Sequence, residues 1–331
     1  MMPGTRASTK ISRRVFVGGL VGLGGLLAAC GGQGTSGSGV ATASSGVSGV
    51  ATSASSTSVA GTAGTPQNVQ PYADSGLLVE APDLTGELAR VRTVALMARQ
   101  DFDGGHIDGA TQIDWPDLNI SDTSSDAALR SWQQQVQQKF VALGITNSDH
   151  VVTYDAGTLF AARMWWVLEY LGHTEKQVLN GGLASWKDAG GPTTTVASNP
   201  VAATYAGTAN PAVLARIDEV SRSLNQPNIV FLDARSPEEF AAGHIPGAIN
   251  IQYTQNAGSG SAPRWKPQDA LHQLYTKAGV STDRTIIPYC STGVRSAVTF
   301  FTLRLIGYDN VKLFTGSWSE WSAHPELPVE K

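Results

Sequence analysis

Hydrophobic runs alternate with helix-patterned segments through the last three quarters of the chain. In the first part of this region, residues 91–96 and 151–154 predict buried strands, whereas residues 131–143 and 159–171 have the spacing of helices. Strands that alternate with helices are typical of a parallel sheet covered by helices on both faces. The pattern therefore predicts an α/β fold.

The second part of this region shows the same alternation. Pro288 lies inside one predicted strand, and because proline has no N–H we expect its nitrogen to face away from any neighbouring strand. The predicted strands cover residues 229–232, 286–289 and 311–314, and the predicted helices cover residues 237–242, 267–278 and 296–306.

These two parts are copies of one unit. Residues 105–110 resemble residues 243–248 at a spacing of 138, and several other pairs recur at a spacing of 135. We infer a duplication into two domains, at residues 68–200 and 208–331, with the boundary in the Ala-, Thr-, Asn- and Pro-rich stretch 193–211. The pairs at spacing 135 are Tyr154 and Tyr289, Asp155 and Cys290, Gly172 and Gly307, Gly181 and Gly316, and Trp186 and Trp321.

The N-terminal region has the composition of an export signal. Residues 1–29 carry four basic residues and no acid, and end in a fifteen-residue apolar stretch. Residues 12–17 resemble a twin-arginine signal and residues 27–30 resemble a bacterial lipobox, which implies cleavage before Cys30 and lipidation of its sulfur. A retained hydrophobic anchor is the alternative. Both predict a cell-envelope protein held at the membrane and facing outside the cytoplasm.

The stretch from Cys30 to residue 67 is expected to be a flexible linker. After Cys30 it is almost wholly Gly, Ser, Thr, Ala and Val and contains no charged residue. Such a sequence cannot bury a core and should reach about 30–35 Å root-mean-square as a tether.

Charge and motif content argue against several classes of function. Loss of residues 1–29 would change the formal net charge from −4 to −8, so no nucleic-acid partner is expected. The six histidines are scattered, and the chain shows no metal-ligand spacing, phosphate loop or cofactor fingerprint. We therefore predict neither a metal nor a cofactor.

Cys290 is the residue with the clearest chemical signal. It follows a predicted strand directly and opens a short loop that leads into a helix. Backbone N–H groups at a helix N-terminus and the cation of Arg295 both favour the reactive thiolate. A buried cysteine acting as a small hydrophobe is the alternative. Gly293 and the hydroxyls of Ser291 and Thr292 favour the hypothesis that Cys290 is reactive.

This loop resembles a known family. The run Cys290-Ser291-Thr292-Gly293-Val294-Arg295 resembles the C-x-x-G-x-R active-site loop of rhodanese sulfurtransferases. Residues 233–240 and 243–248 are similar to that family's upstream signature, and residues 316–321 resemble its closing motif. The resemblance implies two tandem rhodanese-like domains, each a parallel β-sheet flanked by α-helices.

The resemblance also implies a reaction. Cys290 would take the outer sulfur of a donor as a persulfide and pass it to cyanide or another thiophilic acceptor, which could itself be a protein. The backbone amides of Ser291, Thr292, Gly293 and Val294 would bind the persulfide or the leaving anion, and Arg295 would orient and neutralise it. Arg295 favours thiosulfate over 3-mercaptopyruvate as the donor.

Other residues receive supporting roles. Asp155 replaces the cysteine in the first domain, which should therefore be catalytically silent and shape one wall of the site. Asp233 and Arg235 are expected to brace the active-site loop through charge-assisted hydrogen bonds. Trp265 is expected in a surface loop, with the pocket rim as the alternative. Trp186, Trp321 and at least one of Trp165 and Trp166 are expected in the core.

Two rival functions remain open at this stage. A cysteine loop that ends in arginine also occurs in dual-specificity phosphatases, but their loop has five residues between the two and this one has four. Hydrolysis of p-nitrophenyl phosphate that depends on Cys290 would support this rival. The second is an exported persulfide carrier or redox-sensing module without turnover, which an activity assay would separate from an enzyme.

Overall fold

The computed structural model describes residues 70–331, and all of them belong to one compact unit. The predicted signal peptide, Cys30 and the linker lie outside the described residues. Among residues 70–331, no helix is long and apolar enough to cross a membrane. Export and lipid attachment therefore stay predictions.

A five-stranded parallel sheet forms the centre of the first half, in the order β1-β6-β5-β2-β4. The residues of its two central strands are almost all buried, as expected where helices cover both faces. A separate antiparallel pair is formed by β3 and β7. The strands are β1 (Leu78–Val79), β2 (Arg92–Leu96), β3 (His106–Ile107), β4 (Thr111–Ile113), β5 (Val151–Tyr154), β6 (Lys176–Leu179) and β7 (Thr193–Thr194).

The helices of the first half include one that begins earlier than predicted. The helix α3 starts at Asp126 and not at residue 131, because the side chain of Ser125 accepts a hydrogen bond from the amide of Ala128 and caps it. The helices are α1 (Ala81–Glu87), α2 (Arg99–Asp103), α3 (Asp126–Ala142), α4 (Ala161–Tyr170) and α5 (Gly182–Asp188), with 3-10 turns at Ser75–Leu77, Leu88–Arg90 and Trp115–Leu118.

The second half is built around a three-stranded parallel sheet in the order β10-β8-β9. Its strands are β8 (Ile229–Asp233), β9 (Ile249–Asn250) and β10 (Thr285–Tyr289). Its helices are α6 (Ile217–Arg222), α7 (Pro237–Ala242), α8 (Gln268–Lys277), α9 (Val294–Leu305) and α10 (Ser317–Trp321), with 3-10 turns at Pro211–Val213 and Tyr253–Asn256. The predicted α/β class is thus confirmed in both halves.

The predicted strand at residues 311–314 is wrong as a continuous strand, and Pro288 explains why. Val311 forms only an isolated parallel bridge with Ile286. On this edge of β10, Ile286 donates to the Asn310 carbonyl at 2.8 Å, and the Pro288 carbonyl accepts from Phe314 at 3.1 Å. Residues 286 and 288 face the same edge, so the missing N–H of Pro288 falls opposite the segment and interrupts the ladder. The expectation that this nitrogen faces away was also wrong.

The duplication is visible in the packing. In each half a histidine stacks on the phenylalanine four residues before it, with ring centroids 3.6 Å and 3.7 Å apart. In each half a buried tyrosine hydroxyl accepts a hydrogen bond from the backbone amide of the residue after this histidine, at 3.2 Å and 3.1 Å. The matching residues are Phe102, His106 and Tyr154 in the first half and Phe240, His244 and Tyr289 in the second.

The two halves share a core between α4 and α9. The ring of Trp165 meets Phe301 edge-on at 5.1 Å, and Trp265 packs on the same phenylalanine at 4.9 Å. Trp265 is buried and donates to the Thr302 hydroxyl at 2.9 Å, so its placement in a surface loop was wrong. Its segment folds back between the halves. The predicted burial of Trp186 and Trp321 is confirmed, and both Trp165 and Trp166 are buried where at least one was expected.

The connection between the halves follows the surface of the first. Residues 195–210 contain neither helix nor strand, and the amide of Asn210 donates to the Tyr170 carbonyl at 2.7 Å. At the start of the described chain, the Tyr72 hydroxyl donates to the Trp265 carbonyl at 3.1 Å, and the Asp74 amide donates to the Leu305 carbonyl at 3.1 Å. This short stretch is thus bound to the second half. The predicted domain limits stay predictions.

Candidate active site

Cys290 is placed between the end of β10 and the start of α9. The residue is only 1% exposed. Its Sγ accepts a hydrogen bond from the amide of Gly293 at 3.2 Å and lies 3.5 Å from the hydroxyl oxygen of Ser296. The backbone turns within three residues because Gly293 adopts a left-handed conformation, with φ of 88°. The loop therefore places an amide and a hydroxyl donor next to the sulfur.

The surroundings of Cys290 favour its ionised form. Burial raises the pKa of the thiol, since a charge is costly away from water. The Ser296 hydroxyl, the amides of Ser296 and Thr292 and the charge of Arg295 act in the opposite direction and outweigh burial. The pKa of Cys290 is therefore lowered from its ordinary value, as a nucleophilic cysteine requires.

The segment that resembles the family's closing motif holds this loop through its backbone. The amide of Trp318 donates to the Cys290 carbonyl at 2.9 Å, and the amide of Ser319 donates to the Ser291 carbonyl at 3.0 Å. The Ser317 hydroxyl accepts from the Cys290 amide at 3.1 Å. Ser317 has a φ of 56°, which is unfavourable for a residue with a side chain. Cys290 and Ser317 are 27 residues apart, so no local sequence pattern predicts their contact.

Arg295 is paired with a glutamate that was missed as a site residue. Its two terminal nitrogens bind the carboxylate of Glu239 at 2.7 Å and 2.8 Å, and one of them also binds the Ser291 hydroxyl at 2.7 Å. The hydrogen bond from Arg295 is the main reason that the pKa of Glu239 is lowered to about 2. The same pair raises the pKa of Arg295. The Arg295 charge is thus present but partly offset.

A local signal for Glu239 was available in the sequence. Ser236 caps α7, and Glu239 stands three residues later, which is the spacing of a capping box. In the structure the Glu239 carboxylate accepts from the Ser236 amide at 3.0 Å. The capping box thus orients the side chain that Arg295 binds.

Asp233 and Arg235 form a buried ion pair next to Trp318, which binds the Cys290 loop. The Arg235 guanidinium binds both carboxylate oxygens of Asp233 at 2.6–3.0 Å and the Gly243 carbonyl at 2.7 Å. It also lies over the ring of Trp318, 4.6 Å from its centre. Since Trp318 holds Cys290, the pair can act on the loop through that tryptophan.

A cavity of about 310 Å³ opens at the Cys290 loop. The second half contributes four of the predicted substrate-binding and catalytic positions to its lining: Ser291, Thr292, Val294 and Arg295. The first half contributes Trp115 and Phe160, so aromatic side chains form the opposite wall. Within residues 70–331, no group of three or more His, Cys, Asp or Glu side chains is placed to hold a metal ion.

The equivalent loop of the first half is organised around Asp155. This buried carboxylate accepts hydrogen bonds from the amides of Gly157, Thr158 and Ala161 at 2.5–2.7 Å. A larger cavity of about 420 Å³ lies beside Ala156 in this half, away from Cys290. The carboxylate thus closes its own loop in place of a nucleophile.

Comparison with known proteins agrees with the fold and the loop. The model of the rhodanese-like domain family matches residues 87–189 and again residues 216–324. The chain belongs to the rhodanese family. The first matched stretch of this rhodanese lies in the first half and the second lies in the second half. The second stretch contains the whole Cys290 loop.

Relatives of this rhodanese carry names of sulfur-transferring enzymes. A putative thiosulfate sulfurtransferase of Saccharopolyspora erythraea is 34% identical over 69% of this chain and 86% of its own length. The 3-mercaptopyruvate sulfurtransferase of Escherichia coli K12 is 32% identical over 70% of this chain and 85% of its own. The crystal structure of an Escherichia coli 3-mercaptopyruvate sulfotransferase superposes with a TM-score of 0.66, at 28% identity over 74% of this chain and 99% of that one.

Proposed function

We propose that this protein is a sulfurtransferase that uses Cys290 as its nucleophile and thiosulfate as its donor. The observation that carries the proposal is the position of the Cys290 sulfur, buried at the end of β10 and bound by the Gly293 amide beside Arg295. Relatives named as sulfurtransferases support the same class of reaction.

The chemistry proceeds in two covalent steps. The Cys290 thiolate attacks the outer sulfur of thiosulfate, a new S–S bond forms, and sulfite leaves with the electron pair of the broken S–S bond. A thiophilic acceptor such as cyanide then attacks the outer sulfur of the persulfide. Thiocyanate leaves and the Cys290 thiolate is restored.

The loop residues would support both steps. The Gly293 amide donates to the sulfur at 3.2 Å, and together with the amides of Ser291, Thr292 and Val294 it would stabilise the persulfide and the leaving anion. Arg295 would attract and orient an anionic donor at the cavity that it lines. The aromatic wall of Trp115 and Phe160 would exclude water from the persulfide. The positive charge that Arg295 retains beside Glu239 is the reason to favour thiosulfate, a dianion, over 3-mercaptopyruvate.

Thiocyanate formation by the full chain tests the proposal. We expect turnover with thiosulfate and cyanide, parallel double-reciprocal plots typical of ping-pong kinetics, and complete loss in Cys290→Ala. Cys30→Ala is the matched control, since it removes the only other cysteine, and should retain turnover. A preference for 3-mercaptopyruvate would overturn the donor assignment. An extra sulfur on Cys290 without turnover would contradict an enzyme and indicate a persulfide carrier.

A further inference from the structure

A buried arginine from the first half lies behind the Cys290 loop. Arg163, in the first turn of α4, has no solvent exposure. One terminal nitrogen donates to the Thr315 hydroxyl at 2.8 Å, and the other donates to the Leu118 carbonyl at 2.6 Å. The guanidinium carbon also lies 4.9 Å from the ring centre of Trp166. These contacts join α4 to Thr315 of the second half and to the 3-10 turn Trp115–Leu118 of the first half.

The hydrogen bonds of Arg163 leave its charge unbalanced. Both oxygens that it binds are neutral, and its Nε makes no hydrogen bond to any residue in the 70–331 range. Buried charges are normally paired, because removing an ion from water is costly. A negative group close to Arg163 is therefore expected.

Cys290 can supply that negative charge. Thr315, which binds Arg163, packs so closely on Gly293 that a Cβ built there would lie 2.8 Å from the Thr315 hydroxyl oxygen. The Gly293 amide in turn donates to the Cys290 sulfur at 3.2 Å. Burial lowers the pKa of Arg163 to about 9, and a negative charge on Cys290 acts against this lowering. Arg163 thus remains a cation at neutral pH, and Thr315 and Gly293 link it to the sulfur.

Other charged groups near the sulfur do not remove the need for Arg163. Arg295 faces the site from α9, but Glu239 on α7 offsets its charge. Glu320 on α10 is engaged with Thr123, and Asp155 is bound by its own loop. Arg163 is therefore the cation near Cys290 without a carboxylate partner within the described part of the chain.

We propose that Arg163 is a positioning residue of sulfur transfer, whose buried charge favours the ionised Cys290 and whose bond to Thr315 holds the Gly293 amide against the sulfur. The proposal rests on the role of Cys290 given above. It also gives the first half a function in catalysis. Through the Leu118 carbonyl, the same guanidinium fixes the 3-10 turn that carries Trp115 to the cavity.

Alkylation of Cys290 tests this proposal without any need for turnover. The full chain with Cys30→Ser has one thiol, and its rate of reaction with iodoacetamide is measured from pH 5 to 10. We expect Arg163→Met to react about tenfold more slowly at a fixed pH below the midpoint, with the profile moved to higher pH. Arg163→Lys, which keeps a positive charge but not the planar guanidinium with its two hydrogen bonds, should react at a rate between those of the parent and Arg163→Met.

Lys176→Met is the matched control. Lys176 is another cation of the first half, its side chain is only 9% exposed, and it is paired with Glu169 and not with the site. Its replacement should leave the alkylation profile unchanged. Circular dichroism confirms that each variant is folded.

The results that overturn the proposal are specific. Equal profiles for Arg163→Met and Lys176→Met would show that the Arg163 charge does not act on Cys290, and an equal shift in Arg163→Lys would show that charge is not the cause. If Arg163→Met does not fold, Thr315→Val removes the oxygen that holds the guanidinium: slower alkylation supports the proposal, and an unchanged profile overturns it. Because alkylation needs no donor, failure of sulfur transfer would not be mistaken for failure here.

Discussion

At the scale of single residues, the site depends on how charges are offset. Arg295 lines the cavity, but its guanidinium is held by two hydrogen bonds to Glu239. Such a bidentate pair orients the cation and reduces its field at the neighbouring sulfur. Glu239 therefore limits how strongly Arg295 can stabilise the Cys290 thiolate.

The variant Glu239→Gln tests this balance. Glutamine retains the capping-box position but removes the negative charge, so Arg295 should act more strongly on Cys290. We expect alkylation of Cys290 at a fixed pH below its midpoint to become roughly threefold faster. Glu238→Gln is the control, because it makes the same charge change on the exposed face of α7. Equal rates in the two variants would contradict the offset.

At the scale of elements, the unit of chemistry is the strand, loop and helix formed by β10, residues 290–293 and α9. The loop is held from below by Thr315 and from the side by the Ser317 hydroxyl and the amides of Trp318 and Ser319. Gly293 is the point where the loop approaches its support most closely. A Cβ there would lie 2.6 Å from the Thr315 carbonyl oxygen, in a backbone conformation that already disfavours a side chain.

Replacing Gly293 by alanine should therefore destabilise the protein by more than the strain of a left-handed backbone alone, because the added Cβ also meets Thr315. Gly279→Ala is the matched control, since Gly279 has a φ of 81° and nothing within 4 Å of an added Cβ. We expect the control to lower the free energy of unfolding by about 1–2 kcal/mol. Gly293→Ala should lower it by about 1–3 kcal/mol more and abolish rapid alkylation of Cys290. Urea unfolding measures both, and equal losses would contradict the close approach.

At the scale of the whole molecule, a buried carboxylate joins the two halves beside the site. Glu320 on α10 accepts hydrogen bonds from the amide and hydroxyl of Thr123 in the first half, the latter at 2.7 Å. The amide of Ile217 donates to the same hydroxyl at 3.0 Å, and Arg216 donates to the Thr123 carbonyl at 2.9 Å. Burial raises the pKa of Glu320, so its charged form carries a cost in the folded protein.

The stability of the protein should therefore depend on pH through Glu320. Its pKa is higher in the folded than in the unfolded state, so the folded state binds the proton more tightly, and the contribution of Glu320 to stability falls as the pH rises above its ordinary value of 4.5. Glu320→Gln removes this titration. We expect the variant to gain stability relative to the parent as the pH rises from 4.5, measured by urea unfolding at several pH values.

Glu326→Gln provides the comparison for this experiment. Glu326 is an exposed acid six residues further on, and hydrogen bonds from its own backbone and His324 lower its pKa. Its replacement should give the opposite trend with pH. A Glu320→Gln curve that runs parallel to the parent would mean that the inter-half carboxylate does not titrate as burial requires.

The sequence by itself determined the features that depend on neighbouring residues. Hydrophobic spacing identified the strands that became β8 and β10, the short loop chemistry singled out Cys290, and a constant spacing revealed the duplication. Pro288 interrupts pairing for an equally local reason, but which edge it faces is set by the sheet.

Only the tertiary structure decided which distant side chains meet. Glu239 lies 56 residues from Arg295, and Arg163 lies 152 residues from Thr315. Trp265 is buried because its segment returns between Asn180 of the first half and α9. Parallel strands bring their carboxyl ends to one edge, and charges become paired or left unbalanced only when that edge is assembled. Local pattern therefore located the nucleophile, whereas three-dimensional packing determined its electrostatic environment.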